Sequence, residues 1–521
     1  MANNLDDDLL FGSSPAGALN KVNRRDVLKK LGVTAGGLSL LGLEHFRYAM
    51  ADTTGGASPI EHATTEIPLP EAAPSVEAKP GPKRPNIVVF FTDQQRWDVT
   101  GASGNHLGLT PNFDRMAARG AYLENYFTCQ PLCGPARSCL QTGLFATQIG
   151  CWKNGIILDT NYKDTLARKF NQAGYNTGYI GKWHLGSSGQ RGTPVEQRGG
   201  FDYWLASNEL EFTSDAYQVT VFDSKEHAVH LPGYRSDALT DAAVRYISDQ
   251  AASDKPFLLF VSYIEPHQQN SRDDYPAPDV YKDTYRDQWK PPDLANLSSV
   301  APKDPDCADR CLPGYLGMIK RLDECLGRVL DTLKSLNMDD DTIVIYTADH
   351  GNHFKTRNSE YKRSCHESSI RIPGAIQGPG FDGAGPIKEL VSLIDLPPTM
   401  LAAAGLDVPP KMMGRAVGDL VKGTITDWND DVFVQISETQ TGRAVRTARW
   451  KYCIDSSSHV TNEAHSEQYV EQYLYDLEAD PYELTNLAGQ PTHVDVAAEM
   501  QERLKKWMKL AGEPDAVITR A

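Results

Sequence analysis

The 521-residue chain is short of positive charge. Its 52 Lys and Arg stand against 68 Asp and Glu, a formal net charge of −16. Phosphate backbones are gripped by basic faces, so this balance argues against nucleic acid as a partner, and none is expected. An anionic small substrate stays open, because a basic pocket can sit in an acidic protein. Long hydrophobic runs are also lacking. The apolar stretch Leu31–Leu43 is too short and too glycine-rich to cross a bilayer comfortably, so no stable membrane span is expected. The 9 cysteines lack the paired C-x-x-C spacing of a zinc knuckle. Cys307 with Cys311 is the expected disulfide, and most of the others read as buried small hydrophobes. No internal repeat is found, which argues against a solenoid or propeller.

Asn23-Arg24-Arg25-Asp26 precedes that apolar stretch, and Tyr48-Ala49-Met50-Ala51 gives a small-x-small ending. A charged region, a short apolar region and a cleavage site make an export signal. The paired arginines resemble the twin-arginine type. Residues 1–51 are therefore expected to be a signal cut after Ala51, and the protein periplasmic or extracellular. Residues 52–84, rich in Ala, Pro, Thr and Glu, read as a flexible linker.

From Pro85 the pattern changes. Asn86 to Phe91 has no polar face and ends at Thr92-Asp93-Gln94. A run without a polar face suits a strand buried on both sides. Thr177 to Gly181, Phe257 to Tyr263 and Thr342 to Thr347 repeat the form, running into Lys182-Trp183-His184, Glu265-Pro266-His267 and Asp349-His350. Between them lie helical periodicities at Leu166–Ala173, Leu239–Ser248 and Tyr315–Leu336. This alternation predicts an α/β fold with a mostly parallel central sheet covered by helices on both faces. Residues 85–427 are taken as the main domain. Beyond it, Val432–Ser437, Arg443–Cys453 and Gln472–Leu477 read as strands without intervening helices, before a helix at Val494–Leu510. Residues 428–521 are thus expected to form a smaller α+β subdomain.

In an open α/β sheet, ligands bind at the carboxyl ends of the strands. Asp93, Gln94, Asp349 and His350 offer two carboxylates, an amide oxygen and an imidazole for a divalent cation. Arg137, Lys182, His184, His267 and Lys362 offer positive charge and donors for a sulfuryl or phosphoryl group. Cys133-Gly134-Pro135-Ala136-Arg137 opens a predicted helix; proline in the first turn loses no hydrogen bond, and a helix N-terminus favours anions.

Together these motifs resemble the type I sulfatases of the alkaline phosphatase superfamily. The resemblance rests on Cys133-x-Pro-x-Arg137 ending at Thr142-Gly143, Gly181-Lys182-Trp183-His184, Pro266-His267, Thr347-Ala348-Asp349-His350-Gly351, and Lys362 with Ser369-Ile370-Arg371. Arg443 to Tyr452, Leu474 to Leu477 and Asn486-Leu487 are similar to the family's C-terminal part. It implies that a formylglycine-generating enzyme converts Cys133 to formylglycine, whose hydrate offers two hydroxyls. One, bound to the metal, attacks sulfur; the other loses its proton as sulfate is expelled. The metal ligands implied are Asp93, Gln94, Cys133, Asp349 and His350, with Ca2+ the expected ion. The catalytic set implied is Cys133, Arg137, Lys182, His184, His267 and Lys362. Arg137 and Lys182 would hold the nucleophile and growing charge, and His184 would be the base. His267 and Lys362 would bind the sulfate, one of them protonating the leaving oxygen. Gln94 and His350 depart from the Asp and Asn that many members carry, which lowers the carboxylate count and weakens the case for calcium. The expected substrate is a sulfated small molecule or saccharide. Rival readings are a phosphonate monoester or phosphodiester hydrolase of the same superfamily, and a non-catalytic protein that captures sulfated glycans. Loops Ser207–Arg235 and Glu265–Ala301, rich in aromatic and charged residues, are expected to set specificity.

Overall fold

The computed structural model describes residues 84–189, 191–295 and 304–521. The expected export signal, all but the last residue of the expected linker, and the end of the second specificity loop lie outside the described residues.

Ten strands form the central sheet: β1 (Asn86–Thr92), β2 (Ala121–Phe127), β3 (Asn176–Lys182), β4 (Tyr203–Ser207), β5 (Val219–Phe222), β6 (Ala228–Leu231), β7 (Phe257–Ser262), β8 (Thr342–Ala348), β9 (Gly374–Gln377) and β10 (Gly385–Ser392). Their order is β10-β2-β9-β8-β1-β7-β3-β4-β5-β6. The central run β8-β1-β7-β3-β4 is parallel. β9 is antiparallel to both neighbours, and β5 and β6 continue antiparallel at one edge. The sheet is therefore mixed but mostly parallel, as the strand-helix alternation implies.

β1 explains why its sequence has no polar face. Ile87, Val89 and Phe91 pack into one core, where α2 (Cys133–Thr142), α3 (Leu166–Gln172) and α6 (Leu396–Ala403) also bury side chains. Val88 and Phe90 point to the other core, shared with α1 (Pro111–Arg119), α4 (Arg235–Gln250) and α5 (Cys307–Ser335). Alternate residues of one strand thus meet helices on opposite faces.

A second sheet has the order β11-β12-β13-β14-β15, built from β11 (Asp431–Ile436), β12 (Gly442–Thr447), β13 (Trp450–Ser456), β14 (Gln468–Asp476) and β15 (Val517–Thr519). The first four are antiparallel and β15 joins β14 in parallel. Phe433, Val445 and Ile454 share a core with Met500 and Leu504 of α7 (Val494–Leu510).

Three expectations need correction. Arg443–Cys453 is a hairpin of β12 and β13, turned at Ala448-Arg449, where the Trp450 amide donates to Thr447 Oγ1 at 2.9 Å. Helix α5 begins at Cys307, eight residues before the expected Tyr315, and runs through Pro313-Gly314. Those residues read as breakers, but Cys307, Cys311, Leu312 and Tyr315 bury an apolar stripe that carries the helix past them. Consequently Cys307 and Cys311 lie one turn apart on a single helix. Residues at that spacing have Cβ atoms about 5–6 Å apart, beyond the roughly 3.5–4.5 Å of a disulfide. Both are free thiols, with Sγ atoms 3.8 Å apart.

Candidate active site

The strand order β8-β1-β7-β3 brings together the four strands that end in chemistry. Thr92 pairs with Ala348, and Phe91 and Gly181 both pair with Ser262. Asp93, Asp349, His184 and His267 therefore leave one edge of the sheet close together. Backbone bonds carry the pairing past the strands: the Asp349 amide donates to Thr92 at 3.2 Å and the Asp93 amide to Glu265 at 3.2 Å.

At this edge α2 delivers Cys133 in its first turn. The Gly134 amide donates to Asn154 Oδ1 at 2.9 Å. A Cβ on Gly134 would stand 2.9 Å from that oxygen and 3.3 Å from the His184 carbonyl, so the turn approaches its neighbours more closely than a side chain allows. Cys133 Sγ lies 3.2 Å from His350 Nε2, 3.0 Å from Lys362 Nζ and 3.6 Å from Asp93 Oδ1. Burial would raise its pKa, but Lys182, Lys362 and His350 hold the thiol well below its ordinary value.

Arg137 follows one turn later and is fully engaged. Its Nη2 reaches Asp93 Oδ2 at 3.1 Å, its Nε reaches Asp349 Oδ2 at 3.1 Å, and its Nη1 donates to the Lys182 carbonyl and Ser262 Oγ, both at 2.8 Å. One guanidinium thereby orients both carboxylates. Burial opposes its charge, but Asp349 and Asp93 raise its pKa further. Lys182, completely buried, bridges Asp93 Oδ2 at 2.8 Å and Glu211 Oε1 at 2.9 Å. Asp93 is driven below the carboxylate range despite burial, chiefly by Lys182, His267 and Lys362. Asp349 goes the other way: burial and the neighbouring Asp93 push it up to about 6.

His350 is set by its backbone. Nδ1 donates to the Gly351 carbonyl at 3.0 Å, so in the neutral ring Nε2 carries a lone pair. That nitrogen faces Asp349 Oδ1 at 3.5 Å and Asp93 Oδ1 at 3.6 Å. A lone pair aimed at two carboxylates is what a cation would relieve. Asp93, Cys133, Asp349 and His350 each offer a ligand atom, all within 4.8 Å of one another, and all four residues are buried. Gln94 adds a further donor. Its Nε2 donates to Gln268 Oε1 at 2.7 Å and Tyr275 OH at 3.2 Å, leaving Oε1 buried without a partner.

The outer part of the site is a cleft of about 280 Å3 lined by Cys133, His184, Glu211, His267 and Lys362, among others. A groove of about 490 Å3 beside Arg115 and Leu330 is larger, but it holds no nucleophile. His267 Nδ1 donates to the Gln268 carbonyl at 2.7 Å, its side chain also bonds Cys133, and burial with Lys362 lowers its pKa. His184 Nδ1 is buried without a partner. Gln94, His184, Arg363 and Glu438 all hold positive φ, between 60° and 69°. Such strain in residues other than glycine collects where surrounding structure dictates the backbone.

The nucleophile, the cationic residues and the ligand set expected from sequence are thus brought to one place. Arg137 and Lys182 lie beneath it rather than in the cleft wall. Sequence reasoning missed Glu211, Asn154, Gln268 and Ser262. Glu211 and Gln268 had one signal, their positions in the two loops expected to set specificity; Asn154 and Ser262 had none.

Comparison with known proteins gives a consistent result. The family described as Sulfatase matches residues 85–406, and that described as N-sulphoglucosamine sulphohydrolase, C-terminal, matches residues 359–509. The chain is 30% identical over 452 residues to the ulvan-active sulfatase of Formosa agariphila, covering 84% of each. It is 26% identical over 527 residues to the N-acetylglucosamine-6-O-sulfatase of Bacteroides thetaiotaomicron, covering 85% of this chain and 90% of that one. A solved structure in complex with its substrate D-glucosamine-2-N,6-O-disulfate superposes with a TM-score of 0.69 at 22% identity, over 82% of this chain and 98% of that one.

Proposed function

The chain belongs to the sulfatase family, and from that membership we propose that it hydrolyses sulfate esters of carbohydrates, with a formylglycine derived from Cys133 and one Ca2+. The observation that carries this reading is the buried cluster of Asp93, Cys133, Asp349 and His350 opening on a cleft that Lys362 and two histidines share. The sugar named in the Bacteroides relative supports a carbohydrate substrate.

The donor set fits a cation. Asp93, Asp349, His350 Nε2, the orphaned Gln94 Oε1 and the group made from Cys133 would hold it. Bound there, Ca2+ would supply a Lewis acid to the reaction. The hydrated aldehyde supplies two hydroxyls on one carbon, so that sulfate leaves by elimination rather than by a second hydrolysis.

The chain's own residues do the rest. Arg137 commits its donors to Asp93, Asp349 and the Lys182 carbonyl, so it positions ligands rather than touching sulfate. Lys182 keeps Asp93 ionised. Lys362, 3.0 Å from Sγ, and His267, whose side chain also bonds Cys133, bind sulfate oxygens, and one of them protonates the leaving alcohol. His184 takes the proton for elimination. The protein is exported, with residues 1–51 removed; an N-terminus starting at Asp52 is the check.

The decisive test is free-sulfate release from a panel of glucose, galactose and N-acetylglucosamine monosulfates, with 4-nitrophenyl sulfate and an aryl phosphate diester alongside. Mass spectrometry of the Cys133 peptide accompanies it. Sulfate release and a thiol-to-aldehyde mass change are expected. Cys133→Ser should lose about 10³-fold or more under multiple turnover, because a single hydroxyl leaves a sulfate ester to hydrolyse. A serine variant as active as wild type would end the two-hydroxyl cycle. Preference for the phosphate diester would replace the sulfatase reading with its rival.

A further inference from the structure

The cleft has a wall that the reaction does not use. It is the short helix Leu210–Thr213, which carries Glu211 and Phe212 into the lining. Glu211 is only 5% exposed. Its Oε1 meets Lys182 Nζ at 2.9 Å, but its Oε2 is buried with no partner. A buried carboxylate oxygen without a donor is costly. Lys182 is also held by Asp93 at 2.8 Å, so holding that lysine accounts for one oxygen of Glu211 and leaves the other unexplained. Lys182, His184 and His267 depress Glu211 to about 2 against burial, so it is a carboxylate at any working pH. Phe212, next in sequence, is 54% exposed and presents its ring to the same cleft.

The helix is held rigidly. Gln269 Nε2 donates to the Glu211 carbonyl at 2.9 Å, and Arg235 links Gln269 Oε1 at 3.1 Å to Glu265 Oε1 at 2.8 Å. An ionised oxygen repels sulfate, so Glu211 cannot serve the group being transferred. It suits a donor on the alcohol side of the ester, and an aromatic face beside a carboxylate suits a ring with C–H on one face and hydroxyls at its edge.

We propose that Glu211 and Phe212 form the sugar-binding wall of this site: Glu211 Oε2 accepts a hydrogen bond from a ring hydroxyl next to the sulfate, and Phe212 packs on the ring's C–H face. The enzyme then favours sulfated sugars with a free neighbouring hydroxyl over aryl sulfates, which lack that donor. This rests on the carbohydrate-sulfatase reading above and names the groups that enforce it.

The test compares kcat/KM for 4-nitrophenyl sulfate with that for whichever monosulfated sugar of the panel the full-length protein turns over fastest. Glu211→Gln keeps the shape and removes the charge. It should lower the ratio of sugar to aryl activity roughly tenfold or more, since a hydrogen bond to a charged group is lost only with the sugar. Phe212→Ala, at an exposed position, should lower the same ratio about fivefold, mainly through KM. Equal losses on both substrates would overturn the proposal and leave Glu211 as support for Lys182. Activity on aryl sulfate with none on any sugar would also overturn it while sparing the sulfatase reading. Activity on neither would defeat both.

Discussion

The inner and outer walls of the site are held in opposite ways. Asp93, Arg137, Lys182, Asp349 and His350 form the inner wall, each at most 1% exposed. Every ion there has an opposite charge in contact, and all but Arg137 stand on or just beyond the ends of adjacent parallel strands. The outer wall is made by loops and one short helix. It contains unpartnered atoms on His184 and Glu211 and residues of positive φ. The inner wall is complete without a substrate, its ligand atoms gathered where a cation would sit. The outer wall is complete only when something enters the cleft. Removing a group from the first should harm stability and metal binding together; removing one from the second should harm turnover alone.

The largest effect expected follows Arg137→Ala. It leaves two buried carboxylates without their shared partner, a loss of about 3–5 kcal/mol. A lowered melting temperature with reduced bound metal would support the contrast; a fully stable variant that binds metal normally would break it. Chelation comes next. A cation present at about 100 times its dissociation constant stabilises by about 2.7 kcal/mol, so chelator should lower the melting temperature by several degrees and re-addition should restore it. Elemental analysis identifies the ion, and a transition metal in place of calcium would follow the imidazole nitrogen of His350. Lys362→Ala removes an outer cation at a loop position. A fall of roughly 10²-fold in kcat/KM with stability within about 1 kcal/mol of wild type is expected. A large loss of stability would put Lys362 with the inner wall.

The smallest effect concerns the support beneath α2. Asp395, which precedes α6, is pushed up to about 7 by burial, against hydrogen bonds from the Ser392 and Arg415 amides. Its folded pKa lies above the ordinary value of 3.8. The stability it contributes is therefore complete below about pH 4 and is lost as pH rises through about 7. Asp395→Asn should flatten the dependence of melting temperature on pH between about 4 and 8. An unchanged slope would show that Asp395 is ionised in the native protein.

Much of the inner wall is legible in the sequence because strand ends advertise themselves. An unbroken apolar run closing in Asp93-Gln94 or Asp349-His350 signals both a buried strand and the place where burial ends. Cys133 and Arg137 are legible by their fixed spacing at a helix start. Glu211 is not, because its short helix has no periodicity and its meaning depends on Lys182, 29 positions away along the chain. The start of α5 is hidden for a similar reason: Pro313 and Gly314 break isolated helices, and only the apolar packing of Cys307, Cys311 and Tyr315 outweighs them.

By itself the sequence determined the α/β class, the strands that carry the chemistry and the residue types at their ends, since these follow from local pattern and from which side chains tolerate burial. Tertiary structure alone decided the neighbours. The adjacency of β8, β1, β7 and β3, the grip of Arg137 on both carboxylates, and the stray oxygen of Glu211 come from pairings between distant segments. Sequence periodicity records whether a residue is buried, not what it is buried against.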